Sequence, residues 1–280
     1  MIAPHRRTGS ARAMALAAAT CFACAFLPTV SADPPGDGQW ELVFRDEFSG
    51  DKLALSKWSC DYPWGHTHNH RAYCAAENVE VADGTLRIKA ENRRHPDAPQ
   101  TAKHGGKEYS LDFTSGAIHT KGKFEFTCGY LEGRFKVPAT RGFWPAFWTL
   151  NSKGGWPPEI DVLEILCHEP TRLYYNYHYG KSWHPGEKKS FGGQLNAANG
   201  APDFSADFHV VGCDWSPDHI AWYVDGVEQR RFTDRESIAQ SGDMYLIVNL
   251  AVGGWEKDPD ETTVWPGVYE CDWVRVWKRQ

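Results

Sequence analysis

Residues 159–164 read Glu-Ile-Asp-Val-Leu-Glu, three carboxylates set inside the otherwise apolar run 160–166. Each carboxylate drawn into an apolar layer costs several kcal/mol unless it is paired or hydrogen-bonded. Val162, Leu163, Ile165 and Leu166 need a core, which argues against a solvated edge strand carrying scattered charge. On a regular strand Glu159 and Asp161 share one face while Glu164, at odd spacing, points to the other. One extra residue, a β-bulge at Val162 or Leu163, turns Glu164 round to join them. The stretch therefore predicts a bulged strand with three acids on one concave face. Carboxyl groups of differing pKa held together in this way are a device for acid–base chemistry.

The rest of the chain is punctuated as strands. Residues 78–81 and 85–90 flank Asp83-Gly84, and 220–224 and 227–232 flank Asp225-Gly226, both hairpin signatures. Alternating apolar runs recur at 123–127, 131–137, 143–150, 173–179, 208–214, 244–251 and 268–277, while only 234–240 suggests a short helix. Many strands with almost no helix predict an all-β sandwich. Residues 93–107 and 181–202, rich in Gly, Pro, His and charge, read as surface loops. No second domain or repeat is visible after residue 33.

Arg6, Arg7 and Arg12 precede an apolar run over 14–27, and Val30-Ser-Ala32 offers a small-residue cleavage point. Residues 1–32 therefore read as a secretory signal peptide and 33–280 as one catalytic-size domain, secreted or periplasmic. The run is shorter than the roughly 20 residues a membrane span needs. Removing three basic residues from the 30 leaves 27 against 36 acidic ones, so the formal charge moves from −6 to −9. Such a surface disfavours nucleic acid and anionic membranes as partners, and polysulfated substrates as well. Six of the eight cysteines lie beyond the leader: Cys60, Cys74, Cys128, Cys167, Cys213 and Cys271. Export suggests disulfides, Cys60–Cys74 first because both flank one loop-rich stretch; the other four read equally as buried thiols.

The ExDxxE pattern, together with GFWPAFW at 142–148 and WPP at 156–158, resembles glycoside hydrolase family 16 of the bulged type, which includes laminarinases, agarases and carrageenases. The resemblance extends through FRDEF (44–48), GYLEGRFKVP (129–138), CDWSP (213–217), NLAVGG (249–254) and DWVRV (272–276). It implies a concanavalin A-like β-jelly roll with a concave substrate cleft. It also implies retaining double displacement, with Glu159 as nucleophile, Glu164 as general acid/base and Asp161 between them holding a hydrogen bond to the nucleophile. His178 is expected to approach the acid/base from the neighbouring strand. Trp144, Trp148 and Trp156 flank the acids as sugar platforms or as core, and Trp255 follows Gly253-Gly254 as a candidate for the far end of the cleft.

Asn69 begins the stretch Asn-His-Arg-Ala-Tyr-Cys, which departs from the Asn-Glu-Leu-Gln-Tyr-Tyr common in laminarinases. His66, His68 and His70 alternate nearby and could share a face toward a transition metal, but no Asp, Glu or Cys pattern completes that site, so substrate or loop contacts are the preferred reading. The resemblance further implies a structural calcium on oxygens of Glu47, the Gly84 carbonyl and Asp272, and no cofactor for catalysis. The expectation is an exported, monomeric endo-hydrolase of a β-linked polysaccharide, first β-1,3-glucan. The alternatives are a galactan hydrolase and a transglycosylase. A non-catalytic glucan-binding protein fits less well, because all three acids are present.

Overall fold

A computed structural model describes Met1 and residues 34–68, 71–104 and 106–280. The expected signal peptide, and Asn69 and His70, lie outside the described residues. The strands are β1 (Trp40–Asp46), β2 (Ala72–Cys74), β3 (Val79–Ala82), β4 (Thr85–Ala90), β5 (Thr101–His104), β6 (Lys107–Ser110), β7 (Phe113–Ser115), β8 (Ala117–His119) and β9 (Gly129–Lys136). They continue as β10 (Phe143–Asn151), β11 (Glu159–Ile165), β12 (Leu173–Gly180), β13 (Lys188–Leu195), β14 (His209–Trp215), β15 (Ile220–Val224), β16 (Val227–Phe232), β17 (Met244–Val252) and β18 (Gly267–Arg279).

Two antiparallel sheets form a jelly-roll sandwich. One runs β16-β15-β14-β9-β18-β4-β3 with β1 on β18, and the other runs β13-β12-β11-β10-β17-β8. Period-two alternation sends Phe147, Ile160, Leu163, Leu246 and Val248 from the second sheet into one core with Leu131, Phe135, Val211 and Val274 from the first. Phe135 meets Phe147 across this layer at 5.1 Å between ring centroids. Two short β-pairs, β2-β7 and β5-β6, lie outside both sheets.

The bulge is present. β10 pairs Phe147 with Leu163 and then Trp148 with Asp161, so Val162 is the unpaired residue, and the register with β12 shifts over the same interval. Val162 and Leu163 are both buried in the core, two successive apolar side chains on one side, which is what turns Glu164 back toward Asp161.

Three expectations need correction. Residues 181–202 are not wholly loop, since 188–195 form β13, an edge strand whose lysines, serine and paired glycines show no apolar alternation. Residues 93–107 likewise contain β5, hairpinned to β6. Conversely 123–127 is not a strand. Lys123 and Phe124 donate backbone N–H to Thr120 O in a turn, and only Phe126 bridges, to Met244. The alternation there arises because Phe124 stacks on Phe44 at 4.5 Å and Phe126 is buried.

Candidate active site

The face of the six-stranded sheet turned away from the core carries a cleft of about 1070 Å³. Register decides its floor. β12 sets His178 opposite Glu159, Asn176 opposite Asp161 and Tyr174 opposite Glu164; β10 sets Leu150, Trp148 and Ala146 opposite the same three acids. All three acids line the cleft.

Their surroundings differ. Trp156 Nε1 donates to Glu159 Oε2 at 3.0 Å, and His178 Nε2 lies 3.6 Å from Glu159 Oε1 and 3.3 Å from Asp161 Oδ2. Asn176 Nδ2 contacts the same imidazole nitrogen at 3.2 Å. Burial lowers the His178 pKa, which keeps the ring neutral so that Nε2 can accept from Asn176. Burial, reinforced by the Asp161 charge, raises the carboxyls of Glu159 and Glu164 well above the ordinary range. Burial also pushes Asp161 up to about 7, against its hydrogen bond with Glu159 and the positive charge of Lys188. The cluster thus holds protons at a pH where free carboxyls have lost them, and gives them up as a unit. Ligand atoms of Glu159, Asp161 and His178 lie within 4.8 Å of one another.

The bulged backbone is tied from behind. Trp222 on β15, in the opposite sheet, donates its indole N–H to the Asp161 carbonyl at 2.9 Å, and its ring stacks on Tyr175 of β12 at 5.6 Å.

The tryptophans divide by task. Trp156 carries the Lys188 ammonium 4.6 Å over its ring and serves Glu159 through its N–H. Trp148 is buried and bonds Asn249 Oδ1 at 2.7 Å; with His68 stacked on it at 5.8 Å, it is a packed wall and not a free platform. Trp144 meets Trp255 edge-on at 5.6 Å, and Tyr174 lies 4.7 Å from Trp255. This aromatic group sits at the Glu164 end, with Trp255 half exposed. His178 belongs to the Glu159–Asp161 end and not, as expected, to the acid/base. His66 turns its Nδ1 to the Cys74 carbonyl at 2.9 Å and stacks on Tyr73, whereas His68 stacks on Trp148.

Several cleft residues were not anticipated from the sequence. Trp64, stacked on Tyr62 at 5.1 Å, and Trp183 are exposed indoles lining the cleft. Tryptophan in a turn flanked by Pro63 and Gly65 was the available signal for the first. Lys188 reaches the site only because β13 exists.

One further expectation fails. No disulfide joins Cys60 to Cys74: all six cysteines among the described residues are free, and Cys74 is buried beside Tyr62. Both carboxylates expected to hold calcium are engaged by arginines. Arg275 takes both carboxylate oxygens of Glu47, at 2.8 and 2.7 Å, and Arg134 bonds Asp272 at 2.6 Å. Gly84 forms the β3–β4 turn.

A family model described as "Beta-porphyranase A-D, GH16 domain" matches residues 40–279. The chain belongs to glycoside hydrolase family 16. Among curated family 16 relatives, it is similar to glucan endo-1,3-beta-glucosidase A1 of Niallia circulans, 31% identical over 88% of this chain but spanning only 39% of that protein. It is also 31% identical to glucan endo-1,3-beta-glucosidase of Cryptopygus antarcticus, covering 86% of this chain and 93% of that one. Among solved structures, the laminarinase catalytic domain of Thermotoga petrophila RKU-1 superposes with a TM-score of 0.72 at 32% identity, covering 87% of this chain and all of that domain.

Proposed function

We propose that this family 16 chain is a retaining endo-hydrolase that cleaves β-1,3-glucan by double displacement. The observation that carries the reading is the Val162 bulge, which sets Glu159, Asp161 and Glu164 on one face of an open cleft. The glucanase names of its relatives support the linkage. Glu159, aligned by Trp156, attacks the anomeric carbon as the glycosidic C–O bond breaks, and protonated Glu164 gives its proton to the leaving oxygen. The Glu164 carboxylate then takes a proton from water; the water oxygen bonds the anomeric carbon and Glu159 departs. Asp161 holds a proton in common with Glu159 and, when charged, keeps Glu164 protonated. The apolar run 14–27 supports action outside the cytoplasm.

A sulfated galactan is the second reading. The matching family model is named for porphyranases; Lys121 lines the cleft 5.5 Å over Tyr245, and Lys188 lies 4.6 Å over Trp156 of the cleft wall. Reducing-sugar assays on laminarin, lichenan, agarose, porphyran and carrageenan separate the two. Cleavage of laminarin with retained anomeric configuration in early NMR spectra is expected. Cleavage confined to porphyran would replace the glucan reading, and an inverted first product would remove Glu159 from its role. Product sizing at high substrate concentration distinguishes transfer to sugar from transfer to water.

A further inference from the structure

The β12–β13 hairpin is the least expected part of the cleft, and the mechanism does not use its tip. After Gly180, residues 181–187 form a short connection braced by its own polar groups. Ser182 Oγ donates to Glu187 Oε2 at 2.7 Å, lies 2.8 Å from His184 Nδ1 and accepts from the His184 backbone N–H at 3.2 Å. Glu187 N–H closes the turn on His184 O at 3.1 Å. On this brace stands Trp183, 63% exposed, its ring stacked on His184 at 4.3 Å and 22°. A single exposed tryptophan on a surface needs no explanation. This one lines the cleft.

The strand below it is bare. Ser190 and Gly192 stand opposite His178 and Asn176 and also line the cleft. A Cβ on Gly192 would come within 2.7 Å of Asn176 Oδ1 and 2.4 Å of the Tyr175 carbonyl, so only glycine fits beside this asparagine. Asn176 Oδ1 is buried and has no hydrogen-bond partner, an acceptor kept dry and unmet in the protein alone. β13 lies two strand spacings, about 10 Å, from the acid-bearing β11. That is too far for the ring that reacts and within reach of a neighbouring ring of the same polymer.

We propose that Trp183, the Ser190–Gly192 floor and Asn176 form an outer subsite for a pyranose ring of the polysaccharide substrate. The indole lies against the apolar face of the ring, while Asn176 Oδ1 and the Ser190 hydroxyl take sugar hydroxyls. The subsite rests on the hydrolase reading and adds a determinant of chain length to it. Aromatic stacking tolerates variation in the equatorial groups of the ring, so the subsite selects for polymer length more than for one sugar.

The test compares wild type, Trp183→Phe and Trp183→Ala on laminarin and on laminari-oligosaccharides of increasing length. Because Trp183 is exposed, the variants keep the fold, which circular dichroism checks. For Trp183→Ala the expected result is a KM on laminarin raised about tenfold, the size of one lost ring contact. Its kcat should be unchanged, no effect should appear on the shortest oligosaccharide cleaved, and the product ladder should shift. Trp183→Phe should recover most of the loss. Equal losses at every length, or none at any, would overturn the subsite. If wild type leaves laminarin intact, the glucan reading fails separately. The subsite is then read by affinity electrophoresis in lichenan, agarose and porphyran gels, where wild type must be retarded more than Trp183→Ala. Identical mobility in every gel overturns it.

Discussion

Glu159 and Glu164 are the same side chain in two settings, and the settings divide their work. Glu159 receives an indole N–H from Trp156, a contact that orients one carboxylate oxygen and favours its charged form. Glu164 is held protonated by burial first and by the Asp161 charge second. Glu159→Gln should abolish turnover while polysaccharide binding persists. Glu164→Gln should slow polysaccharide cleavage by about 10²–10⁴-fold and recover on aryl glycosides with good leaving groups, which need no proton. The raised pKa values also fix a sign in stability. In the folded protein these carboxyls keep protons that the unfolded chain releases near its ordinary range, so the folded state binds more protons. Stability therefore falls as pH rises from that range through the folded values, about 7 for Asp161. Glu164→Gln removes part of this cost. Its melting temperature relative to wild type should climb between pH 4 and pH 8; a constant difference would contradict the raised pKa.

At the scale of elements, the sequence carried its information unevenly. The hairpins at Asp83-Gly84 and Asp225-Gly226 were legible because their turns need positive φ, and all four residues have it, at 54°, 73°, 47° and 79°. The bulge was legible because only an inserted residue reconciles the ExDxxE spacing with one shared face. What holds the bulge was not, because Trp222 lies 61 positions from Asp161 and in the other sheet. β13 was hidden for a different reason: an edge strand facing solvent and a sugar cleft needs no apolar alternation, and its glycines read as loop. His178 meets Glu159 and Asp161 and not Glu164, because register across the bulge, and not strand adjacency alone, sets which carboxyl it faces. Trp222→Phe should destabilise the fold by about 2–4 kcal/mol, from lost volume and an unpaired buried carbonyl, and should lower kcat with little change in KM. Trp215→Phe serves as the control. Trp215 is equally buried but its Nε1 has no partner, so it should lose stability without losing kcat. Equal kcat in both variants would show that the indole bond does not position the acids.

Across the described residues, stability comes from the apolar layer between the sheets and not from cross-links. Cys167, Cys213 and Cys271 are buried with thiol pKa values pushed up by desolvation, and the Cys74 thiol is raised to about 12, which leaves little nucleophilic thiolate. Arg275 and Arg134 pair with the Glu47 and Asp272 carboxylates. The melting midpoint should accordingly be the same with and without reductant, and with and without EDTA. A fall of several degrees in either arm would reveal a bridge or a bound ion. The indole that reaches from β15 to the Asp161 carbonyl has a consequence for how the protein fails. The catalytic strand is fastened to the far sheet, so its working shape cannot relax while the two sheets stay together. Heating should not produce a folded but idle population. Each molecule should remain competent until it opens, and lost activity should return in step with refolding.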